Sequence, residues 1–397
     1  MPSLIRSASK ILSHAANTSD DATSMVIETT ADNELFTIGC HAVFTDANVD
    51  WGDGSTSAIT TYNDADLTHT YASASEHTIV ISGTTSLNMY GAANSSRLKV
   101  KRVLNFGNTG ATQLSGAFRE CENMTSFVSG NCDTSSVYNM SRMFQNCTSL
   151  TTLDVSGFDT SSVTNMYAMI HNCISITSLD VSNFNTSNVI NMGYVISRCY
   201  NLTSIDVSNW DTSSATNMDS MFRENTVLTT CDVSNFDTSS VTAMNGMFQD
   251  CNDVTSLDVS GFNTSLVTNM YAMFYRCRAA TAGLDVSSFD TSSVTNMQYM
   301  FQDLGADNGA SIDIIGVENF NIEAFIFTNS LRNFMSGVAI PTARYDSLLI
   351  NWDAQDPLDG LSPTFGSSQY TAGGTAAAAR ANLISTDGWT ITDGGTA

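Results

Sequence analysis

Six aspartates recur in one phrase: Asp154, Asp180, Asp206, Asp232, Asp258 and Asp285 each stand before a valine, with Ser156, Ser182, Ser208, Ser234, Ser260 and Ser287 two residues on. The first five are 26 residues apart and the last interval is 27. Carboxylates in such numbers could do three kinds of chemistry. A pair flanking a sugar ring hydrolyses glycosides, but a catalytic pair should break the symmetry of the repeat, and none of these does. Calcium needs six to eight oxygens around it, which a flat row of single carboxylates rarely supplies. The remaining reading is a solvated acidic strip with hydroxyl partners, a candidate polar contact surface for a receptor or a neighbouring subunit. No catalytic residue, cofactor site or metal site is assigned.

Other reactive residue types offer less. The five histidines, at 14, 41, 69, 77 and 171, are scattered, and there is no HExxH, GxSxG or P-loop. His69 and Asp53 are expected to approach each other, but both belong to turn motifs with structural explanations. Six of the nine cysteines, Cys121, Cys147, Cys173, Cys199, Cys251 and Cys277, share one column of the repeat, which Asn225 interrupts. An odd total, no CxxC and a core-facing column predict buried free thiols in place of disulfides or zinc ligands.

These residues are positioned by a repeat. The tetrapeptide beginning at Asp133, Asp159, Asn185, Asp211, Asp237, Asn263 and Asp290 marks seven units. A fixed period of roughly 20 to 50 residues means stacked units that bury one another's apolar faces. Within Asp159–Phe184, Val163, Met166, Met169, Ile170 and Cys173 fall on one helical face, and the Thr and Ser residues before them offer N-cap oxygens. Leu179–Val181 alternates as a strand does. The expected fold class is therefore α/β, a repeat solenoid with one helix and one short parallel strand per unit, the strands centred on Leu153–Val155 and its equivalents. Met140, Met166, Met192, Met218, Met244, Met270 and Met297 form a core column. Phe158, Phe184, Trp210, Phe236, Phe262 and Phe289 form an aromatic column, and Asn139, Asn165, Asn191, Asn217, Asn269 and Asn296 a third, broken by Ala243.

The phrase LDVSxFDTSSVTNMxxMFxxC resembles the 26-residue repeat of BspA-like bacterial surface proteins over about 107–330. That resemblance implies a leucine-rich-repeat-like array, known on bacterial surfaces and in phage structural proteins, with a binding role and no enzyme activity. WGDG at 51–54 with HTY at 69–71 resembles the PKD-like all-β sandwich, a spacer or adhesive module. The expected organisation is an N-terminal docking segment over 1–22, a PKD-like sandwich over 23–92, the repeat solenoid with degenerate terminal units over 93–330, and a C-terminal capping module over 331–397.

Composition narrows the partners. The formal net charge is −24, and lysine occurs only at 10, 99 and 101. Nucleic acid needs clustered Lys or Arg and is excluded as a partner. No 18-residue apolar run exists, so no membrane insertion is expected, and residues 1–22 are too polar for a secretory signal. Together with the resemblance, this points to a virion structural or adhesion protein of a phage, a tail fibre, tailspike or head fibre on the virion surface. It would dock onto other virion proteins through residues 1–22 and present its repeats to a host glycan or protein. Fibre-like virion proteins are often trimers, which makes a homotrimer the assembly to test. The alternatives are a BspA-like adhesin on a bacterial cell surface and, behind it, a polysaccharide-degrading enzyme.

Overall fold

Met166, whose spacing to Met169 and Cys173 reads as helical, donates its N–H to the next coil of chain, to Asn191 O at 2.9 Å. In the computed structural model, which describes residues 21–397 apart from 282 and 310, Ala168, Ile170 and Asn172 do the same, to Gly193, Val195 and Ser197, each at 2.9 Å. An α-helix would spend those N–H groups on carbonyls four residues back. Here they join neighbouring coils. Within a coil the chain advances by three-residue turns, as in Met169 N–H to Met166 O at 3.1 Å. The third residue of each turn is left-handed: Ala168 has φ 53° and Asn172 φ 58°. The pair recurs at Tyr194 and Arg198, Ser220 and Glu224, and Ala272 and Arg276. A turn with positive φ at its third position is the type II pattern. Successive turns of this kind place Met166, Met169 and Cys173 inward at spacings of three and four, which is why the apolar pattern imitates a helix.

The expected helix-per-repeat, leucine-rich-repeat-like solenoid is thus corrected. Among the described residues, the stretch between 98 and 341 holds no α-helix, its strands from 126 on are two or three residues long, and those from 170 on are grouped in small separate two-stranded sheets. The strands expected at Leu179–Val181 and Leu257–Val259 are absent, those residues being irregular. Turns leave only two or three residues extended before the chain bends again.

The chain divides into two compact units. The first comprises the described residues up to Val163 together with Cys173–Ile176. Its strands are β1 (Thr23–Glu28), β2 (Glu34–Thr37), β3 (Cys40–Asp50), β4 (Thr56–Ile59), β5 (Thr68–Tyr71), β6 (Glu76–Leu87), β7 (Val100–Asn105), β8 (Ser126–Val128) and β9 (Thr152–Asp154). One seven-stranded sheet runs β4-β3-β6-β1-β7-β8-β9, antiparallel as far as β7 and parallel from β7 to β9. β2 and β5 form a separate antiparallel ribbon. In place of a free-standing PKD-like sandwich, the strands of the first repeats extend the N-terminal sheet. The short helix α1 (Asn94–Arg97) precedes β7. The expected docking segment 1–22 lies outside the described residues except for its last two.

The second unit comprises Thr164–Asn172 and Thr177–Ala397. Its strands pair in parallel: β10 (Ile170–His171) with β11 (Ile196–Ser197), β12 (Ser204–Ile205) with β13 (Thr230–Cys231), and β14 (Leu284–Asp285) with β15 (Ile314–Ile315). Single parallel bridges link Asn165, Asn191, Asn217 and Ala243 in sequence. Two helices follow, α2 (Thr342–Asp353) and α3 (Gly374–Ser385), and Trp352 and Leu383 on them are fully buried.

The core of this unit is built of columns. Met192, Met218, Met244, Met270 and Met297 are fully buried, each worth about 1.5–3 kcal/mol of burial. Phe222, Phe248, Phe274 and Phe301 stack face to face with centroids 5.7–5.9 Å apart. The column beginning at Phe184 is buried too, with Phe184 on Trp210 and Phe262 on Phe289, both at 6.4 Å.

Candidate interaction surfaces

Each aspartate of the Asp-Val-Ser phrase closes a small ring with its own serine. Asp180 Oδ1 accepts the Ser182 N–H at 3.0 Å and its hydroxyl at 2.7 Å. Asp154, Asp206, Asp232 and Asp258 bind Ser156, Ser208, Ser234 and Ser260 in the same way. Asp285 accepts the Ser287 N–H at 2.9 Å. An aspartate that bonds its own backbone two residues on makes an Asx turn, so this row shapes the corner at which each coil leaves its short extended segment. The serine hydroxyl first, and the serine N–H after it, hold the carboxyls of Asp180, Asp206, Asp232 and Asp285 below the usual range.

A second row stands beside it that sequence reasoning treated only as a cap. Asp133 and Asp159 in the first unit, and Asn185, Asp211, Asp237, Asn263 and Asp290 in the second, accept the N–H of the serine two residues on. The exchange of Asp for Asn at equivalent positions was the available signal: the turn needs an oxygen acceptor and does not need a charge. Among the described residues, no three His, Cys, Asp or Glu side chains converge as a metal site would require.

The outer side of the Met-to-Cys turns is different in kind. Every Arg between residues 112 and 332 falls in these turns or directly after them: Arg119, Arg142, Arg198, Arg223, Arg276, Arg278 and Arg332. Tyrosines join them. In the first unit, the Arg119 guanidinium lies 3.8 Å from the Tyr90 ring centroid and that of Arg97 5.1 Å, with Glu120 paired to both. In the second unit, Tyr167 meets Tyr194 edge to face at 5.7 Å, and His171 meets Tyr194 at 5.8 Å. His171 Nδ1 is 2.7 Å from Ser197 Oγ, and burial, with the Arg198 charge adding to it, pushes the imidazole down to about 4. Glu224 gathers Arg198, Arg223 and the Tyr200 hydroxyl at 2.9–3.0 Å. Farther along, Tyr271, Tyr275 and Tyr299 pack together, with Arg276 set between Asp250 and Asp303. Sequence reasoning missed this face. Its signal was variation, since these positions differ from unit to unit while those around them repeat.

The cysteine column lies inside. No disulfide joins any of the nine cysteines. Cys147, Cys173, Cys251 and Cys277 each donate the thiol to a carbonyl 29 residues back, at 3.1–3.2 Å. Burial drives the Cys147, Cys231 and Cys277 thiols well above their ordinary range. Asn225, fully buried where the column would hold cysteine, donates Nδ2 to Ile196 O at 2.8 Å and accepts the Cys199 N–H at 2.9 Å.

Asp53 and His69 do meet, at 2.8 Å. His69 stacks on Trp51 at 5.0 Å, and the Ser55 hydroxyl donates to Asp53 at 2.6 Å. Tyr71 donates its hydroxyl to Trp51 O at 2.9 Å. One imidazole nitrogen faces both Asp53 and Ser55, so no relay runs from serine through histidine to aspartate, and the cluster braces the turn.

Residues 112–206 and 197–313 both match the family described as "Mycoplasma protein of unknown function, DUF285". Together the two matches span 112–313, more than half of the 397 residues. The chain belongs to this family. DUF285 is related to the BspA-like repeat, and its matched span holds both Asp rows, the buried thiols and most of the Tyr and Arg face. No curated protein and no solved structure matches the chain. No helix among the described residues is long and apolar enough to cross a membrane.

Proposed function

We propose that this DUF285 chain is a non-enzymatic adhesion protein carried on a phage particle, as a tail fibre, tailspike or head fibre, presenting its repeat surface to a host glycan or protein. The observation that carries the binding role is the contrast between faces. Core columns and Asx turns repeat from unit to unit, whereas the outward positions of the Met-to-Cys turns vary among units, with Tyr at some, Arg at others and other polar residues elsewhere. A scaffold held constant beneath a varied polar and aromatic face suits recognition. The free thiols favour the particle over an exported adhesin. Nine cysteines without a disulfide among them suit folding in a reducing cytoplasm, where phage proteins assemble.

The second reading, a BspA-like adhesin on a bacterial cell surface, draws its support from the family relationship. Immunogold electron microscopy with antibody against this chain separates the two. Gold is expected on particles purified from the producing culture. Label confined to the cell envelope would replace the first reading with the second. Release of reducing sugar from host capsule by the purified chain would overturn the non-enzymatic assignment in either case.

A further inference from the structure

We infer that the turn face around Tyr271, Tyr275 and Tyr299 binds a neutral oligosaccharide. This deepens the adhesion reading and rests on it. Tyr271 and Tyr299 come from adjacent coils and meet edge to face at 5.4 Å, and Tyr275 meets Tyr299 at 6.1 Å. Tyr271 is 39% exposed and Tyr275 and Tyr299 are half-buried, so the cluster is a partly open aromatic platform.

Polar groups flank it. The Arg276 guanidinium lies 4.7 Å from the Tyr275 centroid, 3.6 Å from Asp250 and 3.8 Å from Asp303. Those separations hold the charges in place but exceed hydrogen-bond length, and 44% of the Arg276 side chain is exposed. Gln249 Nε2 donates to Asp250 Oδ2 at 3.1 Å, which leaves the Arg276 donors and the other facing carboxylate oxygens able to bond a ligand. Gln302, in the Tyr275 column of the next coil, has a buried Oε1 with no hydrogen-bond partner.

Charge decides the class of ligand. A chain of formal charge −24 repels anions at long range. A cationic partner would be drawn to the Asp rows, where Asp180, Asp206, Asp211, Asp232 and Asp237 stand with no Lys or Arg among the intervening corner residues. Around the tyrosines, Arg276, Arg278 and Arg332 stand with Asp250, Asp303 and Asp307, so cation and carboxylate balance three to three. Aromatic rings beside balanced polar groups with bonding capacity to spare match a sugar: C–H faces lie on tyrosine, and hydroxyls bond Arg276 and the remaining oxygens of Asp250 and Asp303.

Saturation-transfer NMR on the full chain, with short oligomers of glucose, mannose, galactose and N-acetylglucosamine as probes, tests this. At least one should receive saturation. Tyr271→Ala with Tyr299→Ala should weaken it about tenfold or more, while Tyr271→Phe with Tyr299→Phe and the turn-capping pair Asp211→Asn with Asp237→Asn, a change found naturally at Asn185 and Asn263, should retain it. Should the alanine pair melt out, Arg276→Gln, an exposed change, should weaken binding on its own. The inference falls if none of the four probes binds, if both the alanine pair and Arg276→Gln bind as the parent does, or if a polygalacturonate oligomer binds more tightly than every neutral probe. The immunogold result does not depend on any of these outcomes, so the adhesion reading and the sugar site fail separately.

Discussion

Asn217 donates its side-chain amide to Asn191 Oδ1, 3.1 Å away in the preceding coil, and that same oxygen accepts the Gly193 N–H at 3.1 Å. The backbone reciprocates, Met192 N–H reaching Asn217 O at 2.9 Å. One amide thus closes its own turn and ties two coils together. Asn191→Ala should cost about 1–2 kcal/mol, the price of an unsatisfied N–H and a lost inter-coil bond. In a unit of this size that is a fall of roughly 2–8 °C in melting temperature. Ala243 occupies the equivalent place naturally, so the variant should still fold. Thermal melts followed by circular dichroism decide it: no change would mean that the column does not hold the coils together.

The Asp rows predict a pH dependence. The carboxyls of Asp180, Asp206 and Asp232 are held below their ordinary value, chiefly by serine hydroxyls. A depressed folded value contributes stability that is present above the unfolded value near 3.8 and is lost as pH falls through the folded one. Asp180→Asn with Asp206→Asn and Asp232→Asn keeps the acceptor oxygen, as Asn185 and Asn263 do in the neighbouring row. The triple variant should melt close to the parent at pH 7 and lose less than the parent between pH 4 and pH 2.5. The hydroxyl bonds outweigh repulsion along the row, so lowering salt should shift the parent little. Unfolding of the variant at neutral pH, or a parent that melts much lower in chelator, would make the row an internal or cation-bound element.

Much of the interior was legible in the sequence. The Met, Cys and aromatic columns are buried where the 26-residue period places them, because a column repeated in every unit must face its own copies. Local conformation was not legible. Val163, Met166, Met169, Ile170 and Cys173 satisfy the spacing of a helix and equally that of chained three-residue turns. Backbone dihedrals separate the two; Gly116 and Gly246 mark the left-handed position in two units, but Ala168, Tyr194 and Ser220 carry no such mark. The Tyr and Arg face was hidden for the opposite reason: a search for repetition passes over the positions that vary.

The thiols give a direct count. Seven of the nine cysteines are buried and two, Cys40 and Cys132, are half-buried. Burial pushes both of these up to about 11, so at pH 8 little reactive thiolate exists anywhere in the folded chain. Thiol titration without reductant should find nine thiols in denaturant and slow, partial reaction in the native protein. A denatured count near one would mean disulfides and would remove the argument for a reducing assembly route.

The sharpest test of the turn architecture is a substitution whose effect depends on handedness. Ala272 is buried at the third position of its turn with φ 54°. Gly116 and Gly246 stand at the same place in other units, at φ 67° and 57°. A left-handed non-glycine residue costs roughly 1–2 kcal/mol, so Ala272→Gly relieves strain. Against this stands the loss of one buried methyl, worth about 0.8 kcal/mol. The balance is a change from near zero to about 1 kcal/mol of added stability. In a helix, glycine for alanine would itself cost about 1 kcal/mol, and the lost methyl would add to that, giving a deficit near 2 kcal/mol. Urea unfolding of the parent and the single variant distinguishes the two outcomes. A deficit of that size at Ala272 would restore the helix and remove the physical basis for the outward Tyr and Arg face.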